Sequence, residues 1–242
     1  SQSRQHQPDA HCRERLRGEV QNMSFGVISI NDSSFVQIDS ETPRLCVLTK
    51  GSYSGTTDAS VTFPRAVTSA DPPLVFIRPD QNGIVQVPIS VWFAGGPGNW
   101  TGFSMKASNV QSTLSGQYFI AAWASMGTAL FGARIWGPGS ELVYDSGAPP
   151  VVVTFAAGNW TYVGSEQLSV GRRYKWSIDK LLGSGEFISI NSFAMHCHNG
   201  ANGGSCGIAV DYANSKIMLY SLATTAWTDQ GHRPFLCAKL TA

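Results

Sequence analysis

The residues best equipped for chemistry cluster toward the C-terminal end: His196, Cys197 and His198, then Cys206, with Cys237 or His232 as further donors. Zinc takes three or four thiolate or imidazole ligands converging tetrahedrally. Side chains two apart on a strand point the same way, so His196 and His198 could supply half of such a site. No paired spacing of the finger or ribbon type accompanies them. The set therefore also reads as polar side chains bordering the Gly-rich loop that follows. Carboxylates suited to acid and base work occur as Asp39 with Glu41, Glu141 with Asp145, and Asp179 with Glu186. Glycoside hydrolysis needs two of them facing across a cleft at about 5 to 9 Å. The sequence contains no phosphate-binding loop or dinucleotide fingerprint. No catalytic, cofactor-binding or metal-ligating residue is assigned, and the chain is not expected to be an enzyme.

Aromatic residues offer a different chemistry. Of the seven tryptophans, Trp100 and Trp160 lie in matching Gly-Asn-Trp-Thr stretches beside Asn99 and Asn159. An indole flanked by Gly and Asn can stack on a sugar ring, which would make a lectin-like interaction site. The competing role is packing in a core or subunit contact, and the repetition of the stretch favours burial.

What must position these residues is a duplicated unit. Residues 131–154, FGARIWGPGSELVYDSGAPPVVVT, align without a gap with residues 25–48, FGVISINDSSFVQIDSETPRLCVL. Gly26 falls on Gly132, Asp39 on Asp145, Ser40 on Ser146 and Pro43 on Pro149, and the apolar positions agree between them. Asn31-Asp32-Ser33-Ser34, or Gly137-Pro138-Gly139-Ser140, separates two short runs of strand formers, as in a hairpin with a four-residue loop. Asp-Ser ends the second run by offering side-chain oxygens to the backbone ahead, and a third apolar run follows. The expected module is a three-stranded meander. A fainter third copy, with Tyr220 in place of the aspartate, lies at residues 207–221.

Composition points to an all-β chain. Only 14% of the 242 residues are charged and 25 are glycines, whereas solvated helices carry more Lys and Glu. The net charge of +1 marks neither a nucleic-acid nor an anionic-membrane partner. Five irregularly spaced cysteines suggest reduced thiols in a chain made in the cytosol. The apolar stretch at residues 118–133 falls short of a membrane span and reads as two buried strands around Met126-Gly127-Thr128.

Residues 1–22 read as a disordered tail or an over-extended reading frame, with Met23 as the natural start. Residues 23–157 are expected to form a β-sandwich region holding the duplicated hairpin, and 158–242 a second β region. Residues 51–60 read as a Gly/Ser/Thr loop and 60–63 as a short strand. Residues 74–77, fenced by Pro72, Pro73 and Pro79, read as a strand buried on both faces. Asn82-Gly83 signals a hairpin into the alternating run Val85, Val87, Ile89 and Val91. Residues 94–98 resemble a linker or wide loop, 172–182 a strand, 199–207 a loop, and 235–238 a last strand closing a sheet edge. The fold class is thus an antiparallel β-sandwich-like architecture.

The pattern in FGARIWGPGSELVYDS resembles a recurrent element of minor tail, tail-tip and tail-fibre proteins of long-tailed bacteriophages. PLVFIRP at residues 73–79 and RPFL at 233–236 are similar to segments of the same group. The resemblance implies an all-β virion structural protein in the tail, synthesised in the host cytoplasm and acting in tail assembly or host attachment. Its implied partners are other tail proteins, a hub or fibre, and a host surface glycan or receptor. It transfers no catalytic residue and no cofactor. Self-assembly is expected around the tail axis, with three copies, and neither nucleic-acid binding nor membrane insertion is expected. A carbohydrate-binding receptor-recognition module is the alternative, and a polysaccharide-degrading enzyme the third reading.

Overall fold

The computed structural model describes residues 28–30, 36–39, 44–81, 89–107, 113–123, 130–137, 139–140, 142–169, 171–193, 197–199, 202–223 and 233–240. The segment 1–22, the Asn82-Gly83 turn, the Met126-Gly127-Thr128 turn, Gly26, Ser40, Glu41, Glu141, His196 and His232 lie outside them.

The strands in chain order are β1 (Ile28–Ile30), β2 (Val36–Asp39), β3 (Leu45–Thr56), β4 (Asp58–Val67), β5 (Leu74–Pro79), β6 (Ile89–Gly96), β7 (Asn99–Ala107), β8 (Thr113–Trp123) and β9 (Arg134–Trp136). They continue as β10 (Leu142–Asp145), β11 (Val151–Ala157), β12 (Thr161–Leu168), β13 (Gly171–Asp179), β14 (Glu186–Ser189), β15 (Cys197–Asn199), β16 (Asn202–Asp211), β17 (Lys216–Ala223) and β18 (Phe235–Leu240). A 3-10 turn at Asn191–Phe193 accompanies them. The protein is all-β with antiparallel pairing.

The chain divides into two compact units, Ser1–Ser40 and Glu41–Ala242, with no break near Ala157. In the first, β1 and β2 form a hairpin. The second holds a six-stranded sheet in the order β11-β18-β14-β5-β8-β3 and a sheet along β12-β13-β17-β16-β6-β7-β4, to which β15 adds by pairing with β16. Residues 158–160 carry the chain from the edge of one sheet to the edge of the other.

Alternating side chains from both sheets fill the space between them. Val61, Phe103, Ile208 and Leu219 from the larger sheet and Val75, Ile77, Ile120 and Ile188 from the smaller belong to one buried cluster. The opposite face of the smaller sheet carries a second cluster, with Phe76 stacked on Phe119 at 4.6 Å and Phe187 edge-on to Phe119 at 5.0 Å. This explains why β5 is apolar without alternation: Val75 and Ile77 face one cluster and Phe76 the other.

The second cluster is possible because the two edges of the smaller sheet meet. Cys46 on β3 makes an antiparallel bridge with Pro150 just before β11, and the Val47 amide donates to the Pro149 carbonyl at 3.0 Å. Pro150 is the repeat equivalent of Arg44, so β3 and β11 start at equivalent residues, Leu45 and Val151. The two copies of the third strand thus meet antiparallel, with those equivalent residues at the crossing.

Several expectations are corrected. Residues 51–56 are strand, not loop: they pair along β8, and a Cβ at Gly51 would stand 3.0 Å from the Tyr118 ring, a close approach that glycine relieves. The turn comes at Thr57, and β4 runs well beyond residues 60–63. β5 and β6, the described strands on either side of Asn82-Gly83, lie in different sheets and do not pair with each other; both sides of β5 are occupied by β8 and β14. Residues 94–98 form no wide loop but end the β6–β7 hairpin, in which Gly96 faces Asn99 across Pro97-Gly98. Among the described residues of 118–133, β8 is the buried strand, and Leu130 and Phe131 are 94% and 93% exposed. Residues 202–207 belong to β16, and β18 sits inside its sheet between β11 and β14.

Candidate functional site

The duplicated hairpin is reproduced residue for residue. In the first copy Ile28 faces Asp39, Ser29 faces Ile38 and Ile30 faces Val36. In the second Arg134 faces Asp145, Ile135 faces Tyr144 and Trp136 faces Leu142. The same position is skipped in both ladders, so the bulge is part of the repeat. Neither copy is a three-stranded meander: β3 and β11 leave the hairpins and pair with β8 and β18. The third candidate copy is the β16–β17 hairpin. Ser215 has φ 55°, like Ser140 at 65°, but its ladder is regular and places Gly207 opposite Tyr220.

In the second copy the residues shared by the repeat have definable jobs. Gly132 adopts φ 141°, a region that L side chains rarely adopt, which accounts for glycine there. The buried Asp145 accepts the Gly147 amide through Oδ1 at 2.7 Å and pairs through Oδ2 with Arg134 Nε at 2.8 Å. Ser146 Oγ accepts the Ala133 amide at 3.0 Å, while the Ser146 amide donates to the Ala133 carbonyl at 2.9 Å. Asp-Ser is therefore the clasp at the hairpin's base. Phe131 has no such job. It is 93% exposed beside Leu130, and Trp136 is 56% exposed. A hairpin of two short strands is at best marginally stable by itself, and apolar residues on its surface call for a covering partner.

Trp100 and Trp160 are both half-buried against the central core. Trp100 Nε1 donates to the Ser69 carbonyl at 3.0 Å and its ring stands edge-on to Phe93. Trp160 Nε1 donates to the Arg233 carbonyl at 2.7 Å, with its ring 5.1 Å from that of Phe235. Asn99 and Asn159 are exposed beside them, the first in β7 and the second in the connector between sheets. The matching stretches thus share a packing solution but not a place in the fold.

Among the described carboxylates, Asp179 and Glu186 are held by different cations. Asp179 is exposed and pairs with Lys216 at 3.4 Å. Glu186 is buried and receives Lys180 Nζ at 2.7 Å, Thr154 Oγ1 at 2.7 Å and the Gly183 amide at 2.6 Å. Burial alone would raise its pKa, but these hydrogen bonds together outweigh it and hold the carboxyl at about 2. It is a structural anchor. Cys206 and Cys237 point into the central core, and burial pushes the Cys237 thiol up to about 12. Among the described residues no group of three His, Cys, Asp or Glu side chains could hold a metal.

One site went unforeseen. A groove of ≈ 470 Å³ opens beside the crossing of β3 with the start of β11, lined by Arg44, Cys46 and Lys50 from one side and by Tyr144, Ser146 and the Pro149-Pro150 corner from the other. Among the described residues its lining contains two charged side chains, Arg44 and Lys50, both cations. Among the described residues neither makes an ion pair. The repeat alignment carries one signal, for the equivalent of Arg44 is the uncharged Pro150.

Compared with known proteins, the chain matches no family model, no curated protein and no solved structure.

Proposed function

We propose that the protein is a structural component of a bacteriophage tail, a minor tail or tail-tip protein acting in assembly or host attachment. The observation that carries this reading is the exposure of Phe131. Gly132, Asp145 and Ser146 are each explained by the hairpin's own geometry, whereas Phe131, which the repeat keeps as Phe25, is 93% exposed and has no packing role among the described residues. A retained aromatic without an internal role fits a contact with another chain. The same motif underlies the resemblance to tail proteins. Copies arranged cyclically around the tail axis, or docked on a hub, would cover it.

The test is fractionation. Particles from a host carrying the gene are purified, tails are separated from heads, and both are digested for mass spectrometry. Peptides of this chain at a constant ratio to the other tail proteins are expected. Their absence from intact tails would overturn the proposal.

A further inference from the structure

We infer that the groove beside the crossing of β3 with the start of β11 binds an acidic oligosaccharide, a chain of sugar units carrying carboxylates or phosphates. Its size lies within the usual range for small-ligand sites. The whole chain is almost neutral, so two cations and no acid among the described residues that line one groove is a local arrangement. Arg44 and Lys50 stand six residues apart, about 20 Å along an extended strand. That separation suits an elongated ligand charged on more than one unit over a single free ion. Arg44 offers a planar fork for a carboxylate or phosphate, and Lys50 a mobile point charge for the next acidic group. Between them the half-buried Tyr144 and the Pro149-Pro150 corner supply flat apolar surface for a sugar ring, and the Ser146 hydroxyl supplies a polar contact.

Only the source of the polymer, a host surface, rests on the tail reading. The chemistry is tested on the isolated full chain, so failure to bind and absence from tails are separate results.

Titration calorimetry against trigalacturonate, maltotriose, inorganic phosphate and a short acidic peptide decides it. Trigalacturonate is expected to bind at least about tenfold tighter than the other three and to weaken with added salt. Arg44→Ala and Lys50→Ala should each loosen it by at least about fivefold, and Lys50→Arg should largely restore it. Unchanged thermal unfolding of each variant shows that the fold is kept; a variant that unfolds is replaced by Arg44→Gln or Lys50→Gln. Equal binding of maltotriose would overturn the role of charge. Equal binding of phosphate or peptide would overturn the acidic sugar as ligand, and full affinity in both variants would overturn the groove as the site.

Discussion

Arg134 and Asp145 face each other across the β9–β10 ladder and close an ion pair of 2.8 Å, with the carboxylate wholly buried and the guanidinium partly exposed. The equivalent pair in the first hairpin is Ile28 and Asp39. The aspartate is therefore the shared element of the repeat, and the residue facing it across the ladder is arginine in the second copy and isoleucine in the first.

Replacing Asp145 by Ala should cost about 2 to 3 kcal/mol in hairpin stability, since it strands the Gly147 amide and removes a charge-assisted bond. Asp145→Asn, which keeps an acceptor for Gly147, should cost about half as much. Hydrogen exchange of amides between Ala133 and Gly147 measures both. An Ala variant exchanging no faster than the parent would show that the clasp contributes nothing.

Glu186 sets an acid limit to stability. Its folded pKa of about 2 lies below the ordinary 4.5, so its contribution is fully present above about pH 4.5 and is lost as the pH falls toward 2. The shift corresponds to about 3 kcal/mol. Urea unfolding at pH 7 and pH 3 should show about 2 kcal/mol of this loss, the rest going below pH 3, and Glu186→Gln should be less stable at pH 7 with a flatter dependence. The same slope in parent and variant would move the acid sensitivity to another carboxylate.

Trp160→Ala and Trp100→Ala should destabilise the protein by about 3 kcal/mol each, because each removes a half-buried indole packed on the core. Phe at either position should recover most of that but not the bond to Arg233 or Ser69. Thermal unfolding checks this. Variants that unfold like the parent would return the two rings to the role of a sugar-stacking surface.

Legibility in the sequence followed the range of the forces involved. The strand at residues 74–77 was readable because prolines fence it and its continuous apolar run demands burial on both faces. The hairpin register was readable because turn, bulge and Asp-Ser clasp are all local. The strand character of residues 51–56 was hidden, since glycine and serine extend there only through pairing with β8 and the room that Tyr118 requires. Asn82-Gly83 misled because a turn signal says nothing about whether the strand before it has a free edge. The groove was invisible for a similar reason: Lys50 and Tyr144 meet only when the two copies of a duplicated strand cross.

The most direct measurement places a photoreactive benzoylphenylalanine at position 131 and irradiates assembled tails. A contact role for the exposed Phe131 predicts that residue 131 cross-links to another tail polypeptide, a second copy or a neighbouring protein, identified by mass spectrometry. Tails that contain the substituted chain and yield only adducts within that same chain, or none, would contradict it.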